Sequence, residues 1–158
     1  MNQNPLFVDY NLPFNTIPFD EIETENFLPA IHEAIKTSNA KIDAICNSKD
    51  TPNFDNTILA FETSHEDLER IVGIYWHLFA AHSKGDFKKL AEEISPLLSS
   101  HRNDYMLNSV LFSRIETVYK NNDNIEYDEH DSKLMEDVYK AFVRNGASLG
   151  DEDKKSLR

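Results

Sequence analysis

Apolar side chains recur every three or four residues along most of this 158-residue chain, and nowhere do they alternate over a useful length. That period brings residues i, i+3, i+4 and i+7 onto one face of a helix, whereas a half-buried strand needs a period of two. The chain is therefore expected to be all-α, a multi-helix array. Phe27, Ile31, Ile35, Ser38, Ile42 and Ile45 form the first stripe. Its helix should start near Thr24 or Asn26, which suit a cap, with Pro29 in the first turn, where a missing N–H costs nothing. It should end near Asn47-Ser48. Ile58, Phe61, His65, Leu68, Val72, Tyr75 and Phe79 form the second stripe, with Asp55 as cap and Gly85 as closure. Thr63-Ser64-His65-Glu66-Asp67 carries helix-start signals. The stripe keeps its phase across them, so one long helix is expected, about 40 Å at 1.5 Å per residue.

The third stripe, Phe87, Leu90, Ile94, Leu97, His101 and Tyr105, runs through Pro96 and points to one kinked helix, capped by Asp86. Asn108 should cap a short fourth helix with Leu111, Ile115 and Val118 inward. A fifth, starting at Asp128 or Asp131, carries Leu134, Val138 and Phe142 and ends at Asn145-Gly146. Three regions follow. Residues 1–22, punctuated by Pro5, Pro13 and Pro18, read as an extended arm whose apolar side chains (Leu6, Phe7, Tyr10, Leu12, Phe14, Ile17, Phe19) are too many for a solvated tail. Residues 23–149 read as a helical domain. Residues 150–158, with Asp and Glu in their first turn, read as the opening of a further helix, cut within it. No repeat of the length that builds a regular solenoid is present.

Composition limits the function classes. Asp and Glu number 28 against 16 Lys and Arg, a net charge of −12. That balance repels phosphate backbones and anionic lipid, so neither nucleic acid nor membrane is an expected partner. Cys46 is the only cysteine and forms no internal disulfide. The first residues lack the basic and apolar regions of a signal peptide, and no apolar run approaches a membrane span. The expected setting is cytoplasmic.

The residues that could carry chemistry do not assemble into a motif. A zinc peptidase helix of the H-E-x-x-H type needs two His four apart with a Glu between them as base. His32-Glu33-Ala34-Ile35 is followed by Lys36, and His65-Glu66-Asp67-Leu68 by Glu69. A bundle holding two carboxylate-bridged metals needs Glu-x-x-His on two helices, and Glu62-Thr63-Ser64-His65 is a single copy. His65 falls on its apolar stripe and reads as a hydrogen-bonded core histidine. His101 reads as a core or boundary residue. His77 and His82, five apart, cannot share a helical face. Cys46 has no supporting motif and reads as a structural thiol. Asn122-Asp123-Asn124-Ile125-Glu126 lacks the glycine and ligand spacing of a calcium loop. Asp20-Glu21-Ile22-Glu23-Thr24-Glu25 suits the start of a helix. Tyr75-Trp76 tempts a binding reading, but core packing is the simpler one. No catalytic, cofactor-binding or metal-ligating residue is assigned.

The order of segments says more than any one of them. Asn4-Pro5-Leu6-Phe7, Leu12-Pro13-Phe14 and Ile17-Pro18-Phe19-Asp20-Glu21-Ile22 come first, and Phe27-Leu28-Pro29-Ala30-Ile31 and Thr51-Pro52-Asn53-Phe54-Asp55-Asn56-Thr57-Ile58 open helices. Glu92-Glu93-Ile94-Ser95-Pro96-Leu97-Leu98-Ser99-Ser100-His101, Leu107-Asn108, Leu111-Phe112-Ser113-Arg114-Ile115 and Phe142-Val143-Arg144-Asn145-Gly146-Ala147-Ser148-Leu149 follow. From Asn4 to Arg158 this resembles the N-terminal region of the thimet oligopeptidase-like zinc metallopeptidases, in the branch of bacterial peptidyl-dipeptidase and oligopeptidase A. One departure is His77-Leu78 where these relatives usually carry Asn-Leu, which falls on an expected packing position.

The resemblance implies a large, two-lobed helical peptidase acting on short peptides. Its zinc would be held by a helical H-E-x-x-H and a downstream Glu beyond Arg158. This chain would be inactive alone and would form part of the lobe that restricts substrate access. Its partners would be the remaining catalytic part and, in the parent enzyme, short peptides. A patch left bare by the missing part would promote weak self-association. The alternative is a free-standing helical interaction module without enzymatic activity.

Overall fold

A computed structural model describes residues 4–8, 12–81, 85–121 and 127–157. Among them there is no strand. The elements are α1 (Thr24–Asn47), α2 (Ala60–Glu62), α3 (Glu66–Ala81), α4 (Asp86–Met106), α5 (Ser109–Lys120), α6 (Glu129–Arg144) and α7 (Asp151–Leu157). Short 3-10 turns at Pro5–Phe7, Pro13–Asn15 and Thr63–His65 and a π turn at Phe54–Leu59 accompany them. No described helix is long and apolar enough to cross a membrane. The chain divides into two compact units, one of residues 1–38 and 65–97, the other of residues 39–64 and 98–158.

In the first unit the stripes of α1, α3 and α4 supply the interior. Phe27, Ile31, Ile71, Tyr75 and Ile94 are sealed from solvent, as is Leu6 from the arm. Arg70 donates to the Leu6 carbonyl at 2.9 Å, and Asn4 donates to the Asn26 carbonyl at 2.8 Å, which ties this part of the arm down. The arm is not buried throughout. Leu12 and Phe19 are exposed and Phe14 is fully so, at a positive φ of 61° that only glycine adopts freely. Tyr10 lies outside the described residues.

The expected single helix over Asp55–Gly85 is corrected in two places. The cap is Asn53 rather than Asp55. Its side chain accepts from Asn56 N–H while the Asn56 carboxamide oxygen accepts from Asn53 N–H, a reciprocal capping box. The helical run also changes hydrogen-bond period, from π to α to 3-10, before α3 begins. Thr63 Oγ1 donates to the Leu59 carbonyl at 2.9 Å and Ser64 Oγ to the Phe61 carbonyl at 2.6 Å. Such back-bonding competes with the main-chain ladder and tightens the turn. The stripe nonetheless stays inward, with Ile58, Phe61, His65, Leu68 and Tyr75 all buried. Residues 82–84, including His82, lie outside the described residues. At the start of α4, Lys88 and Lys89 N–H bond to the Gly85 carbonyl. Asp86 is thus the first helical residue rather than the cap. The helix continues through Pro96.

The second unit holds a continuous core from Ile42 to Ala147. Phe142 is sealed between Phe61, at 5.2 Å edge-on, and Phe112, at 6.3 Å stacked. Each such aromatic pair adds about 0.5–1.5 kcal/mol beyond its buried area. Asn108 caps α5 by accepting from Val110 and Leu111 N–H, and Asp128 caps α6 by accepting from Asp131 N–H. On α6 the innermost residues are Met135, Val138 and Phe142, while Leu134 is only half-buried.

The end of α6 is a complete Schellman motif. Ala147 N–H reaches back to the Phe142 carbonyl at 3.0 Å, and Gly146 N–H to Val143 at 3.1 Å. Gly146 sits at φ 87°, and Ala147 joins Phe142 in the core, the apolar contact this motif favours. A Cβ at Gly146 would fall 2.7 Å from Leu157 Cδ1 and 3.0 Å from Leu149 Cδ1. The dihedral is what requires glycine, and a Cβ would in addition push the tips of two leucines aside.

Candidate functional site

His32 and Glu33 are exposed, and Glu33 pairs with Lys36 at 3.2 Å on the helix surface. Glu66 is exposed, while His65 is buried with its Nδ1 3.0 Å from the equally buried Ser38 Oγ. A Ser hydroxyl within reach of an imidazole has the chemistry of a nucleophile and its base. Ser38 is 1% exposed and His65 8%, so no substrate reaches the hydroxyl, and the pair acts as a satisfied polar contact inside the first unit. Ser38 on an apolar stripe thereby gains its explanation. Glu62, three residues before His65, is exposed.

His77 is exposed, with Nδ1 2.7 Å from the Gly73 carbonyl, so the departure from the Asn-Leu pattern falls on a solvated face rather than a packing position. Tyr75 and Trp76 part company. Tyr75 is sealed against Phe27 and Phe87 and donates to the Phe87 carbonyl at 2.7 Å, while Trp76 is 39% exposed. The carboxylates of Asp20, Glu21, Glu23 and Glu25 are all exposed, with Glu25 in the first turn of α1. The loop over residues 122–126 lies outside the described residues.

In the second unit, Cys46 is half-buried and its thiol pKa is raised by burial and by Asp43, against the opposing effects of Arg114 and Asn108. A thiol held protonated is a poor nucleophile and a poor metal ligand. His101 is buried edge-on to Tyr105 at 5.2 Å. Burial pulls its pKa below the ordinary histidine value, with Asp104 opposing. The unfolded chain, where His titrates at about 6.5, then binds protons that the folded chain resists, so stability falls as pH drops below that value. We expect the urea midpoint to decline between pH 7 and pH 5 less steeply in His101→Gln than in the parent sequence. Equal slopes would remove His101 from that response.

Sequence reasoning missed Arg114. It sits on the buried face of α5 at 9% exposure, donating from Nη1 to the Ser48 and Asp50 carbonyls at 3.2 and 3.3 Å. Nη2 adds a second bond to Asp50 O at 3.3 Å. The guanidinium thus clamps the 48–56 connection, which Asn56 also ties by donating to the Thr51 carbonyl. The signal available in the sequence was its position, three residues after Leu111 on the stripe.

One concave surface in this unit is apolar at its floor. Met106 and Leu107 at the end of α4 are buried, and Val143, Leu149 and Leu157 rise around them at 38%, 43% and 52% exposure. Asn103, Arg144 and Asn145 add a polar edge to a cleft of about 470 Å³. It holds no convergent acid–base pair. The zinc implied by the resemblance has no seat either: among the described residues no three His, Cys, Asp or Glu side chains gather where they could hold a metal ion.

No family model matches the chain. Two curated relatives do. It is 34% identical over 158 residues to a dipeptidyl carboxypeptidase of Salmonella typhimurium, covering all of this chain and 23% of that protein. It is also 34% identical over 155 residues to a dipeptidyl carboxypeptidase of Escherichia coli, covering 98% of this chain and 23% of that protein. The chain thus spans about a quarter of the length of the relatives it matches. It is homologous, over its whole length, to part of the dipeptidyl carboxypeptidases of the thimet oligopeptidase-like family.

Proposed function

We propose that this chain is a non-catalytic helical portion of a zinc metallopeptidase that releases dipeptides from the carboxyl ends of short peptides, and that it helps form the lobe restricting substrate access. The reading is supported above all by whole-length homology to dipeptidyl carboxypeptidases about four times longer. The acidic, cysteine-poor composition agrees with cytoplasmic work. In the parent protein the catalytic zinc and its ligands belong to other residues, and the role of these helices is to build a rigid wall. A wall of this kind acts by excluding folded chains, so its side chains need packing and caps rather than perturbed acids and bases.

The purified chain is expected to release no dipeptide from a C-terminally blocked or free reporter peptide, and to retain less than one equivalent of zinc after dialysis, read by elemental analysis. Hydrolysis abolished by a chelator would overturn its non-catalytic role. Reading the gene past codon 158 is expected to reveal a helical H-E-x-x-H. A stop codon there would favour the free-standing interaction module instead.

A further inference from the structure

We infer that the cleft around the Schellman turn of α6 is a docking seat for the rest of the parent peptidase, taking apolar side chains of one of its helices over Met106 and Leu107. The inference rests on the reading above. Three observations in the second unit carry it. Val143, Leu149 and Leu157 are three of the large apolar side chains left exposed in the described residues, and all three line this one cleft. Scattered exposed leucines need no explanation, but three large apolar side chains gathered on one cleft over Met106 and Leu107 do.

The rim is also built in place. Gly146 offers no Cβ, and the side chains of Leu149 and Leu157 occupy the space one would take. Ala147 and Gly146 N–H lock the turn beneath them. A preorganised hollow of about 470 Å³, with Met106 and Leu107 at its floor, suits a few inserted side chains without reordering the turn. The edge supplies Arg144, Asn145 and Asn103, which fits an amphipathic helix whose flanks carry acceptors.

The choice of occupant follows from length. More than three quarters of each relative lies outside the stretch aligned here. Leu157, in the last turn of α7, forms one wall of the cleft.

The test compares the 158-residue chain with the full gene product, each carrying Leu157→Cys in a Cys46→Ser background and probed with a neutral maleimide. Labelling is expected to slow at least tenfold in the full product. In parallel, Val143→Lys is expected to leave the melting temperature of the 158-residue chain unchanged and to lower that of the full product. Equal labelling in a full product that releases dipeptides would overturn the docking seat alone. A full product without peptidase activity would overturn the reading beneath it. Protection that instead grows with the concentration of the 158-residue chain would make a second copy the occupant and reject the proposal. A Val143→Lys loss equal in both proteins would assign the residue to local packing and reject it too.

Discussion

Arg114→Met is expected to lower the stability of the second unit by about 2–3 kcal/mol, because hydrogen bonds to a charged donor are worth about 1.5–3 kcal/mol each and rehydration of the freed carbonyls recovers part of the loss. The guanidinium satisfies Ser48 and Asp50 carbonyls on a connection that has no regular hydrogen bonding of its own. Met matches the stem but supplies no donor. Arg114→Lys is expected to recover only part of the loss, since a point ammonium cannot span two carbonyls as a planar fork does. Urea unfolding followed by far-ultraviolet circular dichroism reads both variants. If Met and Lys are equally benign, the clamp is ornamental and the 48–56 connection is held by Asn53 and Asn56 alone.

A larger loss is expected from Phe142→Ala, about 3–5 kcal/mol. The ring is fully buried and in contact with two others, one on α2 and one on α5. Its loss leaves a cavity that Phe61 and Phe112 cannot both collapse into. It also removes the apolar anchor of the Schellman turn, whose carbonyl acceptor is residue 142 itself. Phe142→Leu should cost markedly less. A midpoint for the Ala variant within error of the parent sequence would mean that this core is plastic.

The helices themselves were legible because each carries a stripe, and a stripe survives local irregularity. α1 runs from Thr24 to Asn47, within the expected limits, and Asn108 and Asp128 cap where short polar side chains precede a stripe. What periodicity could not show was the state of the backbone between buried positions. Thr63 and Ser64 change the hydrogen-bond period without moving His65 off the inner face. Asn53 outcompeted Asp55 because Asn56 answers it three residues on, a reciprocity visible only when both side chains are read together.

The site was less legible for a different reason. Ser38 and His65 are 27 residues apart, and Arg114 meets Asp50 across 64, so neither pairing leaves a local signature. Segment order carried the family because homology is a property of the whole register. It assigned no reacting residue, because none of the segments that carry the resemblance holds a catalytic motif.

The turn that ends α6 also bears on chemical ageing. Asn-Gly pairs deamidate when the glycine nitrogen swings round to attack the neighbouring carboxamide. Here that nitrogen is engaged by Val143, and the Asn145 amide donates to Ala141 at 2.8 Å. The folded helix end therefore shields a labile dipeptide, and each loosening of it invites a new carboxylate on a chain already rich in them.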